Sequence, residues 1–228
     1  MPDLDTKLHV EMLRDYKKEN SFVQRVRLAS RAVRDVVAPT KLYGLQWGDP
    51  EVQGPQAYMR DHFILPYVKR DQVGLEIGPG GGRWTRYLLD FDTLYVVDYH
   101  AELLQELRTH VNKPNMRFIV NNGTDFPGVP EHSVDYVLSV ACFVHLELHL
   151  IAAYLKNIAH ILKPGGNVFI TYSDKTKIGA QMNSTFTENT PARMREMVTE
   201  SGFKILEEEP TILWNSGVIR FGLQADVP

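Results

Sequence analysis

The sequence predicts an α/β fold in which a parallel sheet is covered by helices on both faces. From residue 72 onward, apolar strand-like runs alternate with helix-like segments. The first run, Val73–Ile77, leads directly into the glycine-rich turn Gly78-Pro79-Gly80-Gly81-Gly82. The next run ends at Asp98, twenty residues after Gly78. This order of strand, glycine turn, helix, strand and carboxylate is typical of domains that bind a nucleoside at the carboxyl edge of a parallel sheet.

The segment before residue 67 has a different pattern. Its first 35 residues are charged, with apolar residues at helical spacing, and residues 40–56 form a loop rich in glycine and proline. A helix is predicted over 56–65, before Pro66. We therefore expect two parts, an N-terminal helical and loop cover over 1–66 and one compact domain over 67–228.

The remaining elements follow from apolar runs and helix boundary signals. Pro191 at a first helical position predicts a helix start, and Lys163-Pro-Gly-Gly166 predicts a helix end. The last two strands are predicted to form a hairpin. Strands are predicted at 73–77, 93–98, 116–120, 134–140, 167–173, 203–209 and 217–224. Helices are predicted at 83–90, at 101–110, from the fourth strand to about residue 162, and at 191–201.

Composition excludes several classes of protein. The net charge is -3, from 25 basic and 28 acidic residues, so a nucleic-acid-binding face is not expected. The single cysteine, Cys142, excludes an intrachain disulfide and fits a reducing compartment. No signal peptide or membrane-length apolar run is recognised. We expect a soluble cytoplasmic protein that does not engage a membrane, with monomer and homodimer both open.

The glycine spacing argues against a dinucleotide. A dinucleotide fingerprint needs a third glycine at the position that Arg83 occupies here, and the glycines instead read G-x-G-x-G. A phosphate-binding loop ending in G-K-[ST] is absent from the sequence. The turn therefore favours a nucleoside without a pyrophosphate, and a nicotinamide-dependent dehydrogenase is the disfavoured alternative.

These motifs resemble the class I S-adenosylmethionine-dependent methyltransferases. The resemblance is carried by Glu76-Ile-Gly-Pro-Gly-Gly-Gly82, Asp98 and Leu162-Lys-Pro-Gly-Gly166, in that order. It implies a Rossmann-like seven-stranded, mostly parallel sheet with a C-terminal antiparallel hairpin, and S-adenosyl-L-methionine as cofactor. The implied cofactor-binding residues are Glu76, Gly78, Gly80, Gly82, Asp98, Tyr99, Asn122, Gly123, Thr124 and Ser139.

Physical arguments accompany these carried-over roles. A carboxylate at Asp98 can accept both ribose hydroxyls, although Asp also caps helices and a helix is predicted to start at Ala101. Glu76 lies inside a strand, where an unbonded charge is costly. In the loop after the third strand the choice among Asn122, Thr124 and Asp125 for reading adenine stays open.

The acceptor side is predicted from the ends of the fourth and fifth strands. A hydroxyl acceptor needs a base, and His145 is the best candidate because histidine titrates near neutral pH. A helix-capping histidine is the alternative role. The group His145, Glu147 and His149 suggests a metal site only weakly, and no metal is expected. The predicted substrate-binding residues are Tyr43, Trp47, Tyr172 and Asp174.

The predicted function is methyl transfer to a small or medium acceptor, with a hydroxyl as the favoured acceptor atom. The layout resembles bacterial enzymes of sugar, glycan or secondary-metabolite pathways. A nitrogen acceptor on a small molecule, and a non-catalytic nucleoside-binding module of the same fold, remain the alternatives.

Overall fold

The computed structural model describes residues 48–52 and 54–223. They contain a seven-stranded sheet with the strand order β3-β2-β1-β4-β5-β7-β6. Strands β1 to β5 are parallel to one another, and β7 runs antiparallel between β5 and β6. The seven strands are β1 (Val73–Ile77), β2 (Thr93–Asp98), β3 (Met116–Val120), β4 (Val134–Ser139), β5 (Leu162–Ser173), β6 (Phe203–Glu208) and β7 (Ser216–Leu223).

Helices cover both faces of the sheet. The α-helices are α1 (Pro55–Met59), α2 (Ala101–His110), α3 (Leu148–Ile161), α4 (Ile178–Gln181) and α5 (Pro191–Glu200). Apolar residues of α3 and α5 form one buried cluster with the sheet. Residues of α1 and α2 form a second cluster, in which Phe63 stacks on Phe169 with ring centroids 4.7 Å apart. The predicted seven-stranded α/β architecture with a terminal hairpin is therefore confirmed.

The strand order determines where a ligand would bind. Strand β1 pairs with β2 on one side and with β4 on the other, both in parallel, so the order in which successive strands are added to the sheet reverses between β1 and β4. In open α/β sheets the crevice beyond the carboxyl ends of the strands at this reversal receives ligands. This region contains the glycine turn after β1, Asp98 at the end of β2, and His145 after β4.

Three predicted helices differ from the structure. The predicted helix at 83–90 is a short 3-10 turn, Thr85–Tyr87, in which the amides of Tyr87 and Leu88 bond to the carbonyls three residues back and the one i to i−4 bond, from Arg86, is long at 3.4 Å. After β4 the chain forms a separate 3-10 turn, Phe143–His145, before α3 begins. The predicted helix at 56–65 divides into α1, a π-helical turn (Arg60–Ile64) and a 3-10 turn (Leu65–Tyr67) around Pro66.

Other boundaries follow the sequence signals. Helix α5 begins at Pro191, and Thr190 caps it by accepting a hydrogen bond from the Arg193 amide. Helix α3 ends at Ile161, but Leu162–Gly166 already belongs to β5 rather than to a connecting loop. Within the described ranges, no helix is long and apolar enough to cross a membrane.

Candidate active site

The glycine turn after β1 is built from backbone that only glycine adopts readily. Gly78, Gly80 and Gly82 have φ angles of 69°, 53° and 89°. A Cβ atom on Gly78 would lie 2.7 Å from the Cys142 sulfur, and one on Gly82 would lie 2.5 Å from a Leu107 methyl group. The turn is therefore packed tightly between β4 and α2, and its peptide groups line the carboxyl end of β1.

Glu76 is a buried acid just before this turn. Its side chain is 2 % exposed, and Thr85 Oγ1 donates a 2.6 Å hydrogen bond to Oε2. Burial raises the pKa of Glu76 to about 7, and the nearby Asp98 charge adds to this, while Thr85 and Arg83 oppose it. A carboxyl group held near neutrality in this way favours a cationic ligand, which would restore its charge.

Asp98 ends β2 next to the glycine turn. Oδ1 accepts a 2.9 Å hydrogen bond from the His100 amide, and the residue is 8 % exposed. Burial raises its pKa despite this bond and the nearby His100. Because His100 immediately precedes α2, this hydrogen bond stabilises the turn that leads into the helix. A desolvated carboxylate can still accept hydrogen bonds from ligand hydroxyls, so the predicted ribose role stays open.

Tyr99 lies at the edge of the same site. It is 60 % exposed, and its ring meets His100 edge to face at 5.2 Å. A Cβ atom on Gly123 would be 3.7 Å from the Tyr99 ring. The structure thus brings the loop after β3 beside an exposed aromatic face, which is the arrangement that a stacked base requires.

The loop after β3 is held by its own side chains. Asn122 Oδ1 accepts from the amides of Thr124 and Asp125 and from Thr124 Oγ1, at 3.0, 3.2 and 3.2 Å. Asp125 Oδ1 in turn accepts from the Asn122 amide at 2.9 Å. Gly123 has a φ angle of 103°. The predicted residues Asn122, Gly123 and Thr124 therefore lie in one turn. The side-chain oxygen of Asn122 already accepts hydrogen bonds within that turn.

Sequence reasoning missed Asn121, which anchors this loop. It is 6 % exposed; its Nδ2 donates to the Tyr154 hydroxyl at 2.9 Å and to the Asp125 carbonyl at 3.1 Å. Its Oδ1 accepts from the Gly123 amide, and its own amide donates to the Asp98 carbonyl. The only sequence signal was that Asn121 continues the inward alternation of Ile119.

Ser139 corrects one predicted contact. Its side chain is fully buried, and Oγ donates a 3.0 Å hydrogen bond to the Ile77 carbonyl. The hydroxyl therefore joins β4 to β1 just before the glycine turn. Ser139 supports the turn rather than presenting its hydroxyl to a ligand.

His145 is positioned by a second loop. Its Nδ1 lies 2.9 Å from the Thr185 carbonyl oxygen, and its ring meets Phe186 edge to face at 5.5 Å. Because a carbonyl can only accept, Nδ1 carries the hydrogen and Nε2 of the neutral ring is the free acceptor. The side chain is exposed. This arrangement orients the ring and leaves its basic nitrogen available for a proton.

The loop that holds His145 is itself fixed. Asn183 Oδ1 accepts from the Thr185 amide at 3.1 Å and from Thr185 Oγ1 at 2.8 Å. The Thr187 amide donates to the Val144 carbonyl at 3.0 Å, and Ser173 Oγ donates to the Thr187 carbonyl at 2.7 Å. Residues 183–187 are thus attached both to the end of β5 and to the turn that carries His145.

The predicted substrate-binding set is only partly supported. Tyr172 is 2 % exposed and packs against Gly217, where a Cβ atom would lie 2.2 Å from its ring, so it is a core residue and not a rim residue. Asp174 is 1 % exposed; Oδ1 accepts from the amide and hydroxyl of Thr176, and Oδ2 lies 3.6 Å from Lys177 Nζ. It stabilises the turn after β5. Tyr43 and Trp47 lie outside the described residues.

A short segment before α1 contacts arginines that follow the glycine turn and one arginine after α1. The Gly48 carbonyl lies 3.4 Å from Arg83 Nη1, Asp49 pairs with Arg86 at 2.6 Å, and the Pro50 carbonyl accepts from Arg60 at 2.7 Å. We call Gly48–Glu51 the strap. It connects the predicted N-terminal cover to the first residues after the glycines.

The residues that the structure describes contain no cluster of side chains suited to a metal ion. No group of three or more His, Cys, Asp or Glu side chains lies close enough together there to hold an ion. His145 is committed through Nδ1 to Thr185, and the expectation of a metal-free site stays a prediction.

Comparisons with known proteins find a methyltransferase domain in the sequence and similar folds among solved structures. Residues 75–166 match the family model of a methyltransferase domain. Among solved structures, the PH0226 protein of Pyrococcus horikoshii has a TM-score of 0.65 at 16% identity, covering 80% of this chain and 97% of that chain. No curated protein matches the sequence significantly.

Two further structures have the same fold. An S-adenosylmethionine-dependent methyltransferase of Mesorhizobium loti has a TM-score of 0.63 at 13% identity, covering 75% of this chain and 98% of that chain. The DhpI–SAH complex has a TM-score of 0.62 at 18% identity, covering 80% of this chain and 89% of that chain. At such identities the likeness concerns the fold.

The matched domain, the strand order and the glycine turn lead to one conclusion. Residues 75–166 match the methyltransferase domain family, and the described residues share the fold of the S-adenosylmethionine-dependent methyltransferases to which they were compared. The residues present fit the cofactor: two buried carboxyl groups, Glu76 and Asp98, flank the glycine turn, and Tyr99 offers an exposed aromatic face beside Gly123. The predicted cofactor, S-adenosyl-L-methionine, agrees with this family.

Proposed function

We propose that this methyltransferase transfers the methyl group to a hydroxyl of a small or medium acceptor, such as a sugar, a glycan or a secondary metabolite. The bound cofactor supplies an activated methyl group on a sulfonium. The protein must then align the acceptor oxygen and remove its proton. The observation that supports this proposal is the orientation of His145, whose Nδ1 is bonded to the Thr185 carbonyl and whose Nε2 is left as an acceptor.

The proposal assigns a role to each part of the site. His145 Nε2 takes the acceptor proton. The glycine turn, Glu76, Asp98 and the loop Asn122–Thr124 bind the cofactor, with Tyr99 against the base. Asp174 shapes the rim after β5 through its turn, within a proposed domain over 67–228. The single cysteine and balanced charge support a cytoplasmic enzyme that acts on small molecules.

The test is methyl transfer to a panel of hydroxylated and amine-bearing acceptors, followed by mass spectrometry of the product. His145→Ala should lower kcat by about 10²- to 10⁴-fold on an oxygen acceptor, the usual contribution of a general base. S-adenosylhomocysteine affinity should stay near that of the wild type. His149→Ala is the matched control, because His149 is an exposed histidine four residues further along the chain, at the start of α3.

Each other outcome contradicts a stated part of the proposal. Full activity in His145→Ala removes this residue as the base. Methylation of amines alone establishes a nitrogen acceptor. Cofactor binding without turnover on any acceptor favours a non-catalytic module of the same fold.

A further inference from the structure

The connection from β4 to α3 begins with a backbone conformation that only glycine adopts readily. Ala141, two residues after the end of β4, has a φ angle of 63°. In this left-handed conformation the Cβ atom lies too close to the following carbonyl oxygen, so alanine adopts it at an energetic cost. Among the described residues, His132 is the only other non-glycine residue with a positive φ angle. Such a conformation persists only where the surrounding structure holds it.

The Thr171 hydroxyl holds Ala141 in this conformation. Thr171 lies on β5 and is 1 % exposed, and its Oγ1 accepts a 2.8 Å hydrogen bond from the Ala141 amide. Because the acceptor belongs to a buried strand, its position is fixed by the sheet. The hydrogen bond therefore offsets part of the cost of the left-handed backbone.

A second hydroxyl of β5 holds the same connection further along. Ser173 lies two residues after Thr171, so the two side chains point to the same face of the strand. Ser173 Oγ donates to the Thr187 carbonyl at 2.7 Å, and the Thr187 amide donates to the Val144 carbonyl at 3.0 Å. The chain after β4 is thus attached to β5 directly at Ala141 and through Thr187 at Val144.

The attachment at Ala141 sets the direction of the turn that carries His145. The His145 amide donates to the Cys142 carbonyl at 3.0 Å, so the turn starts at the residue directly after Ala141. A change in the Ala141 φ angle would rotate the residues that follow, including the His145 ring. The glycine turn is attached to β4 separately, through the bond from Ser139 to the Ile77 carbonyl.

We propose that Thr171 is a positioning residue for methyl transfer. Its hydroxyl keeps Ala141 left-handed, and this conformation directs the turn that presents His145 to the acceptor. The inference rests on the proposed role of His145 as the base. A purely structural role makes a different prediction: if the hydroxyl only satisfied the Ala141 amide, its loss would lower the stability of the fold and leave kcat of the folded enzyme unchanged.

The experiment measures kcat on the hydroxylated acceptor of the panel that the wild type methylates fastest, and the Kd of S-adenosylhomocysteine. Thr171→Val keeps the shape of the side chain but removes the acceptor oxygen, so kcat should fall about tenfold. Thr171→Ser keeps the hydroxyl and should stay within about threefold of the wild type. The Kd should change by less than about threefold in both variants.

Adding Ala141→Gly to Thr171→Val tests the cause of this loss. Glycine adopts a φ angle of 63° without the steric cost, so it does not need the hydroxyl. The double variant should therefore regain kcat to within about threefold of the wild type. Ala141→Val tests the same conformation with Thr171 intact. A β-branched residue strongly disfavours the left-handed region, so kcat should fall about tenfold.

The tautomer of the His145 ring provides a readout that needs no acceptor. Nitrogen NMR of labelled histidine, with the signals assigned by His145→Ala, should show the neutral ring protonated at Nδ1 in the wild type, as its bond to the Thr185 carbonyl requires. In Thr171→Val the population should shift toward protonation at Nε2. The double variant with Ala141→Gly should return it to Nδ1.

Ser133→Ala is the control, because it removes a hydroxyl bond to the Pro130 carbonyl at the opposite end of β4 and should leave kcat unchanged. An unchanged kcat in Thr171→Val would overturn the proposal, and so would a double variant as slow as Thr171→Val. A loss of S-adenosylhomocysteine affinity equal to the loss of kcat would also overturn it. If Thr171→Val does not fold, an unchanged kcat in Ala141→Val overturns the proposal by itself.

His145→Ala in the same assay separates this inference from the proposed function. Full activity in that variant would refute the proposed base, and the inference about Thr171 with it. A slow His145→Ala beside a fully active Thr171→Val would refute only the inference.

Discussion

Thr85 Oγ1 donates a 2.6 Å hydrogen bond to Oε2 of Glu76, and both side chains are buried. This bond joins the residue before the glycine turn to the first helical turn after it. The bond is too weak to offset burial, so the carboxyl group of Glu76 has a pKa of about 7 in the folded protein.

The free enzyme should lose stability as pH rises because of Glu76. An unperturbed glutamate, as in the unfolded chain, has a pKa of 4.5, whereas the pKa of Glu76 in the fold is about 7. Between these two pH values the folded state therefore binds a proton that the unfolded state has lost. The stabilisation is complete below the unfolded value and is lost as pH rises through the folded value. Glu76→Gln, which can still accept the Thr85 bond, should therefore gain about 2–3 kcal/mol relative to the wild type between pH 5 and pH 8.

Urea unfolding of both proteins at the two pH values measures this difference. Two stability profiles that stay parallel across the range would show that Glu76 is ionised and well solvated in the fold. The substitution should weaken cofactor binding in the same protein, because a stabilised site that has lost its charge binds a cation less well.

Replacing Asp98 should weaken cofactor binding. The carboxylate is 8 % exposed, and an amide at this position would lose its charge-assisted bonds to hydroxyl groups while keeping its shape. Asp98→Asn should raise the Kd of S-adenosylhomocysteine by about 10- to 100-fold in calorimetry. Asp92→Asn, an exposed aspartate before β2, is the control. An unchanged Kd in Asp98→Asn would leave this residue with only its bond to His100.

The local parts of the site could be predicted from the sequence, and the long-range parts could not. The turn at Gly78 and the carboxylate at Asp98 follow from spacing within one strand–turn–strand unit. The bond between Asn121 and Tyr154 joins residues 33 positions apart, and no local pattern indicates it. The burial of Tyr172 could not be predicted locally, because β5 is buried on both faces and a polar residue near its end does not have to face the rim.

The bond between Asn121 and Tyr154 gives a prediction about loop order. Asn121→Ala would leave the Gly123 amide and the Asp125 carbonyl without their partners, at a cost of about 1–3 kcal/mol in the free energy of unfolding. The same substitution should also lower the affinity for S-adenosylhomocysteine, because the loop beside Tyr99 would be less ordered. Tyr154→Phe removes only the hydroxyl and should cost about 1 kcal/mol. Equal losses in both variants would mean that the Tyr154 bond alone anchors the loop.

Asn183 should influence turnover through His145 without touching either ligand. Its Oδ1 holds the amide and hydroxyl of Thr185, whose carbonyl orients the His145 ring. Asn183→Ala should lower kcat about tenfold, since small misplacements of a catalytic group reduce the rate strongly. Asn183→Asp keeps an oxygen acceptor and should restore most of that rate. The Kd of S-adenosylhomocysteine should be unchanged in both variants, so a matching loss of cofactor affinity would show that Asn183 acts on the fold in general.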